Sequence, residues 1–217
     1  MKPSIILFSL MVLFQVSHAQ KEACEINCDS SWCWGNVPEE AKKNWTALDN
    51  SVVSKKMKEA ESPLEWLLAN TPCLNKALYI NGEKVYKALE REAKNDSIEV
   101  LYQDKLMALY YQRIEYFGDE KLVKDKIGAL AYSFYVNRGG CSYEEKRPYW
   151  TKMYNIYDDI LKRNGNESKY YHVRYFMLSA NKMFMLNKDT VAFMQAYNRC
   201  EEIFDDAIPR ADEKIKA

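Results

Sequence analysis

Apolar side chains recur at intervals of three and four residues through most of this chain, and this spacing restricts the folds open to it. The clearest stripes are Val123, Ile127, Leu130, Ala131 and Phe134; Trp150, Met153, Tyr154, Tyr157, Ile160 and Leu161; and Val191, Met194, Tyr197, Cys200 and Phe204. Such spacing places apolar side chains on one face of an α-helix. No window alternates apolar and polar residues long enough to favour a strand. The pattern predicts an all-α fold in which each stripe is buried.

Turn-forming residues are scarce, which favours the same fold. The 217 residues include only 7 Gly and 6 Pro, and 29% of them are charged. This composition argues against a disordered chain and against an all-β chain with many tight turns. The 31 basic and 31 acidic side chains cancel, so the chain offers no basic field to a phosphate backbone, and nucleic-acid binding is not expected.

The first 19 residues have the features of a secretory signal peptide. Lys2 gives a basic start, an apolar run follows from residue 5 to residue 16, and Ser17 and Ala19 are the small residues ahead of a cleavage site. We predict cleavage after Ala19 and export of the chain. The apolar run is too short to cross a bilayer comfortably. No later stretch approaches the roughly 18 apolar residues that a spanning helix needs, so no integral membrane segment is expected.

Capping signals divide the helical region. Gly118 and Gly165 mark helix ends, and Ser142 with Glu145 forms a capping-box pattern. The predicted helices are eight, at residues 38 to 51, 54 to 70, 74 to 94, 97 to 117, 119 to 137, 142 to 163, 168 to 186 and 189 to 207. Short loops make neighbouring helices antiparallel. We therefore predict a signal peptide at 1–19, a cysteine-bearing arm at 20–36, a helical repeat domain at 37–208 and a polar tail at 209–217.

Taken in pairs, these helices form units of about 35 to 47 residues, which is the range of helical repeats. In such an array each pair buries its apolar face against the next pair. In the first unit, Ala60, Leu64 and Pro72 match the second half of the tetratricopeptide pattern. The Trp, Leu-Gly and Tyr of its first half are absent. The repeat type is thus only partly indicated by the residues themselves.

The exported chain carries six cysteines, Cys24, Cys28, Cys33, Cys73, Cys141 and Cys200. An oxidising compartment permits disulfides. Cys33 precedes the first predicted helix and Cys73 follows the second, and an antiparallel pair brings such positions together. We predict a disulfide between Cys33 and Cys73, with Cys28 as the competing partner. A metal site at Cys24, Cys28 and Cys33 is the alternative, but its spacing lacks the CxxC knuckle and a nearby histidine.

Five segments carry a wider likeness: Trp66 to Pro72, Leu78 to Gly82, Tyr111 to Gly118, the Cys33-Trp34 pair and Asp189 to Val191. They resemble a family of exported tetratricopeptide-repeat (TPR) proteins from Bacteroidota, over most of residues 33 to 206. The resemblance implies a TPR-like right-handed superhelix. It also implies a protein of the cell envelope, in the periplasm or at the outer membrane, or a secreted protein. Family members carry more repeats, which makes this chain a short member or one without a C-terminal capping repeat. No catalytic residue comes with the resemblance.

Catalytic and cofactor motifs are absent from the sequence. The mature chain has one histidine, His172, which we expect to be exposed or to cap a helix because no nucleophile motif accompanies it. The acidic pairs, Asp158-Asp159, Glu201-Glu202 and Asp205-Asp206, are expected to be solvated, since adjacent side chains on a helix diverge by about 100°. We predict no enzyme activity, no cofactor and no metal.

Tyrosine is in excess, with 16 residues. Some of the rings fall off the buried stripes, on the first helix of each later pair, and first helices line the concave face of such arrays. The predicted aromatic groove consists of Tyr79, Tyr86, Tyr132, Tyr135, Tyr171, Arg174 and Tyr175. It favours a scaffold or adaptor that binds a protein or peptide, with a glycan-binding protein as the alternative. The other interpretation is that these rings are core.

Overall fold

The computed structural model describes residues 28, 29 and 31 to 216. Within this part of the chain there are two short strands, eight α-helices and one turn of 3₁₀ helix at Gly165–Glu167. The strands are β1 (Cys28–Asp29) and β2 (Trp32–Cys33). The helices are α1 (Pro38–Val53), α2 (Met57–Asn70), α3 (Lys76–Arg91), α4 (Asp96–Phe117), α5 (Glu120–Tyr135), α6 (Tyr143–Asn164), α7 (Tyr170–Asn187) and α8 (Thr190–Lys216).

The all-α prediction is confirmed, and the capping signals explain where helices begin and end. Ser142 and Glu145 form the reciprocal capping box at the start of α6. Gly118 ends α4 with a φ of 62°, a left-handed conformation that glycine adopts without a steric penalty. Helix α8 continues to Lys216 and thus runs through most of the segment that we predicted as a polar tail at 209–217. The predicted signal peptide, 1–19, lies outside the described residues, as does the start of the arm at 20–27.

The helices fall into two compact units that divide between Glu120 and Lys121, whereas we predicted one repeat domain over 37–208. In unit 1, α3 packs against α1, α2 and α4, and α1 also packs against α2. In unit 2, α7 packs against α6 and α8. Consecutive helices joined by short connections thus pack on one another in both units.

The arm contains a hairpin that the sequence did not predict. Strands β1 and β2 pair antiparallel with Cys28 opposite Cys33, and these two cysteines form a disulfide. The predicted Cys33–Cys73 bond is therefore wrong in its partner, although Cys73 is itself disulfide-bonded. The geometric expectation behind it holds, because the Cys33 amide donates a hydrogen bond of 2.9 Å to the carbonyl oxygen of Leu74. The two chain segments meet, but a cysteine five residues away takes the bond.

Unit 1 buries an arginine at the end of α4. The guanidinium of Arg113 donates to Asp119 Oδ2 at 2.8 and 3.1 Å, and Lys76 Nζ contacts Oδ1 of the same carboxylate at 2.7 Å. Arg113 is almost fully buried, while Lys76 is half-exposed. The ammonium of Lys76, and to a smaller degree the guanidinium of Arg113, hold the pKa of Asp119 below its usual value. Asp119 therefore neutralises a charge that cannot reach water.

We predict that Asp119→Ala lowers the free energy of unfolding by about 2 to 3 kcal/mol, because it leaves a buried guanidinium without its partner. The matched variant Lys76→Ala removes only a half-exposed partner of the same carboxylate and is expected to cost less than about 1 kcal/mol. Urea unfolding followed by circular dichroism measures both. Equal losses for the two variants would contradict a special role for the Arg113 contact.

Unit 2 brings three helices together at Gly128 of α5. A Cβ atom at this position would lie 2.6 Å from Nε2 of His172 on α7 and 2.8 Å from Cδ1 of Ile160 on α6. The hydroxyl of Tyr157 donates to the Gly128 carbonyl oxygen at 2.8 Å and accepts from the Tyr132 amide at 2.9 Å. Since those two backbone groups normally bond each other in an α-helix, the hydroxyl is inserted into the hydrogen-bond ladder of α5.

In unit 2, the apolar stripes predicted to be buried are confirmed on α5 but only partly on α8. On α5, Val123, Ile127 and Phe134 are buried as predicted, and Leu130 is half-buried. On α8 the prediction holds at Cys200, which is buried, and Phe204 is half-buried. It is wrong for Val191, Met194 and Tyr197, which are exposed, while Ala196 and Ile203 pack inward beside Cys200. Both faces have helical spacing, and the sequence pattern followed the larger side chains.

We predict that Gly128→Ala is about 2 kcal/mol less stable than the matched variant Gly82→Ala. Both substitutions raise helix propensity by about 1 kcal/mol. At Gly82, which lies on α3, a new Cβ meets only flexible methyl ends of Leu109 and Leu64 at 3.0 to 3.2 Å. At Gly128 it meets a rigid imidazole ring at 2.6 Å, so close that the ring or a helix must shift. Urea unfolding curves measure the difference, and a Gly128→Ala variant as stable as Gly82→Ala would show that the helix approach is not tight.

Candidate functional site

The tyrosine face of unit 2 consists of Tyr132 on α5 and Tyr171, Arg174 and Tyr175 on α7. The rings of Tyr132 and Tyr175 are stacked, with centroids 4.7 Å apart and planes 12° from parallel. Tyr175 also contacts the ring of Tyr157 at 5.8 Å. The hydroxyl of Tyr157 is bonded to the α5 backbone, so the stacked pair rests on a fixed support. Tyr132 and Tyr175 remain half-buried and offer part of their surface to solvent.

Helical spacing places the α7 members of this face together. Tyr171, Arg174 and Tyr175 lie at positions i, i+3 and i+4, which share one side of a helix. Tyr171 is half-buried, and Arg174 is exposed. Within the described residues, the Arg174 guanidinium has no carboxylate, hydrogen-bond or aromatic partner. It is therefore a free cation beside a rigid aromatic pair.

One edge of the face is an ion pair next to a buried histidine. Lys169 Nζ contacts Asp125 Oδ2 at 2.6 Å and lies 5.8 Å from the centre of the Tyr171 ring. His172 is fully buried, and neither of its ring nitrogens has a hydrogen-bond partner. Its Nδ1 is 3.9 Å from Asp125 Oδ1, too far for a hydrogen bond. Burial lowers the pKa of His172, and the Asp125 carboxylate opposes this effect.

The prediction that His172 is exposed or caps a helix is wrong. Three members of the predicted groove are also misplaced, because Tyr79, Tyr86 and Tyr135 are buried. Tyr79 donates its hydroxyl to the Pro72 carbonyl oxygen at 2.9 Å, and Tyr86 lies against Tyr102. Cations of Arg138 and Lys152 stand 5.0 and 4.8 Å from the centre of the Tyr135 ring. These rings belong to the core.

A central helix explains part of this error. Helix α3 packs against α1, α2 and α4, so it buries residues well outside a single stripe, and these include Tyr79 and Tyr86. An apolar stripe in the sequence indicates one buried face but not how many neighbours a helix has. Tyr132 and Tyr175 were among the predicted groove residues, but the sequence predicted neither their stacking nor the support that Tyr157 gives them.

Two further concavities occur, one in each unit. A cavity of about 110 Å³ in unit 2 is lined by Tyr154, Ala180, Met183, Phe184, Asn187, Asp189, Ala192 and Phe193. A shallower groove of about 320 Å³ in unit 1 is lined by Glu65, Leu68, Ala69, Tyr86, Lys105, Ala108, Leu109 and Gln112. In this groove, Lys105 forms ion pairs with Glu61 and Glu65. The charged lining residues Lys105 and Glu65 therefore already neutralise each other.

In the part of the chain that the structure describes, no three His, Cys, Asp or Glu side chains form a group that could hold a metal ion. The metal alternative at Cys24, Cys28 and Cys33 also loses two thiolates to the Cys28–Cys33 disulfide. None of the described helices is both long and apolar enough to cross a membrane. No protein-family profile, curated protein or solved structure matches this chain.

We predict that the free energy of unfolding falls as the pH drops below about 6.5, and that His172 causes this loss. The ordinary pKa of 6.5 applies to the unfolded chain, and burial lowers the pKa in the folded chain. Between those two values the unfolded state binds the extra proton, so acid favours unfolding. One proton accounts for a slope of up to about 1.4 kcal/mol per pH unit.

The measurement is urea unfolding at several pH values between about 7.5 and about 5.5, for the wild type and for His172→Leu, which cannot be protonated. The variant removes only this histidine, so the carboxylates contribute equally to both curves. We expect the wild type to lose stability more steeply than the variant over this range. Parallel curves would mean that His172 is protonated equally in the folded and unfolded chains.

Proposed function

We propose that this protein is a non-catalytic scaffold or adaptor of the cell envelope that binds a protein or peptide partner at the tyrosine face of unit 2. The observation that carries the proposal is the stacked pair of Tyr132 and Tyr175 with the free cation of Arg174 beside it. Tyrosine and arginine are enriched among the residues that contribute most binding energy. Tyrosine offers a large contact area at a low cost in side-chain entropy.

Pre-organisation supports this site over the other tyrosines. The ring of Tyr175 is held by contacts with Tyr132 and Tyr157, so little freedom remains to be lost on binding. Arg174 has no partner within the described residues, so it favours a binding partner that presents a carboxylate next to a flat or apolar side chain. An extended peptide with an acidic residue beside a proline or an aromatic residue has this chemistry.

A binding role also fits the chemistry of the surrounding groups better than catalysis does. Both nitrogens of His172 are buried, so the imidazole cannot meet a substrate from solvent. The nearest carboxylate, on Asp125, is engaged with Lys169. General acid or base catalysis needs such groups within hydrogen-bond reach of the reacting atom.

We also infer a specific arrangement of the helices: TPR-like pairs stacked in a right-handed superhelix, related to the exported family that the sequence resembles. Support comes from consecutive packed helix pairs and from the full burial of Ala60 and Leu64, where the repeat pattern expects a crossing. The Cys28–Cys33 disulfide is compatible with export to the periplasm, the outer membrane or the exterior.

A glycan is the second candidate partner, favoured by one observation. Tyr132 and Tyr175 present nearly coplanar half-exposed rings, and such flat surfaces can stack on sugar rings. A neutral glycan would not require Arg174. The two candidates therefore differ in how they respond to the loss of this cation.

The testing experiment is partner capture from solubilised envelopes of the native host, quantified by mass spectrometry. We expect Arg174→Ala and Tyr175→Ala each to weaken capture of one defined polypeptide by at least about fivefold, equivalent to about 1 kcal/mol. Tyr143→Ala is the matched control, since Tyr143 is an exposed tyrosine of unit 2 outside the tyrosine face. Circular dichroism must show equal helix content and melting temperature in all variants.

Two results would refute the peptide proposal. Unchanged capture by Arg174→Ala and Tyr175→Ala would place the partner elsewhere. Tyrosine fluorescence that responds to oligosaccharides, with the response lost in Tyr175→Ala and kept in Arg174→Ala, would establish the glycan instead.

A further inference from the structure

The outer face of α8 carries exposed apolar side chains. Val191, Met194 and Tyr197 are exposed to 69%, 47% and 41%. The inward face of the same helix is formed by Ala196, Cys200 and Ile203, which are buried. The exposed side chains are therefore not part of the core of unit 2, and their removal is not expected to disturb it.

The two following turns of α8 are acidic on the same side. Glu201, Glu202 and Asp205 are exposed. Viewed down the helix axis, they point within a quarter of a turn of the direction in which Val191 and Met194 point. From Thr190 to Asp206 the only basic residue is Arg199, and its guanidinium is engaged with Asp158 at 2.7 Å. Within this described stretch, the outer face thus combines an apolar half with an acidic half that has no cation.

This charge arrangement is unfavourable in the free protein. Glu201 and Asp205 are four residues apart, and Glu202 and Asp205 are three apart, so like charges face each other along the helix. Like charges at these spacings destabilise a helix. A cationic partner would relieve this repulsion, which gives the surface a preference for positive charge.

The spacing of the exposed apolar side chains points to the shape of the partner. Helical repeats bury an apolar outer face of this kind against a neighbouring helix pair. Helix α8 keeps the apolar spacing of a stacking helix and exposes it. The side chains at 191, 194 and 197 lie three residues apart, slightly less than one turn, and side chains of another helix can pack along this row.

We propose that the outer face of α8 docks a basic amphipathic helix of a partner protein. Apolar side chains of that helix pack on Val191, Met194 and Tyr197, while its Lys or Arg residues pair with Glu201, Glu202 and Asp205. None of these residues belongs to the tyrosine face, which favours an acidic peptide. The protein therefore joins two partners of opposite charge, and each surface can be tested without the other.

The probe is a fluorescently labelled synthetic helix with Leu at i, i+3, i+4 and i+7 spacing and Lys at the flanking positions. A matched peptide carries Glu in place of every Lys. Binding to the full exported chain is measured by fluorescence anisotropy at low and high salt. We expect the Lys peptide to bind at least about tenfold more tightly than the Glu peptide, with an advantage that shrinks as salt is added.

Three variants locate the binding. Met194→Glu is expected to weaken the Lys peptide at least about tenfold, since it places a charge within the apolar contact. The matched control, Ile80→Glu, alters an apolar residue of unit 1 with 44% exposure and is expected to bind normally. The triple variant Glu201→Lys, Glu202→Lys and Asp205→Lys is expected to reverse the preference toward the Glu peptide. Circular dichroism confirms that each variant is folded.

Several outcomes would overturn the proposal. Equal binding of the two peptides, or a Lys peptide that binds the triple variant as tightly as the wild type, would remove the electrostatic argument. Dimerisation of the peptide-free protein that is lost in Met194→Glu, measured by sedimentation equilibrium, would assign the face to a second copy. Arg174→Ala should leave the Lys peptide unaffected, so failure of the tyrosine-face proposal and failure of this one are distinguishable.

Discussion

Close approach of helices at a glycine is the constraint on which the packing of unit 2 depends. At Gly128, three helices meet with less room than a single methyl group requires. The imidazole of His172 lies over the glycine Cα, and the adjacent ladder of α5 is opened to admit the Tyr157 hydroxyl. The contact excludes water from both His172 nitrogens, and it brings α5 and α7 near enough for Tyr132 and Tyr175 to stack. The exposed aromatic pair is thus a consequence of a buried contact beneath it.

Much of the tyrosine excess is explained by architecture. Tyr79 bonds the carbonyl of Pro72 at the connection from α2 to α3, and Tyr157 bonds the backbone of α5. In both positions a ring fills space between helices while its hydroxyl forms a hydrogen bond with the backbone. Abundance of tyrosine therefore does not identify a binding surface. Incomplete burial and a nearly parallel stack distinguish Tyr132 and Tyr175 from Tyr79 and Tyr157, which are fully buried.

Helix boundaries were predictable because they are set by local chemistry, such as the capping box at Ser142 and the left-handed Gly118. Burial was less predictable, because it depends on how many neighbours a helix has. The sequence pattern missed how much of α3 is buried, and on α8 it placed Val191, Met194 and Tyr197 inside although they are exposed. The disulfide error has a similar origin. Cys33 does meet the segment after α2, yet closing the five-residue loop to Cys28 costs less chain entropy than closing one of about forty residues.

The most specific part of the family resemblance, Gln112 to Gly118, has a structural explanation at four of its seven positions. Gln112 donates to the Leu68 carbonyl oxygen, Arg113 holds Asp119, Phe117 packs edge-on against Tyr79, and Gly118 ends the helix. A likeness carried by such residues concerns how helices end and pack. In our proposals, partner choice depends instead on exposed positions outside this segment, such as Arg174 and Met194. Two chains could therefore share the whole Gln112 to Gly118 segment and still bind partners of different charge, because the side chains that would meet those partners lie elsewhere in the sequence.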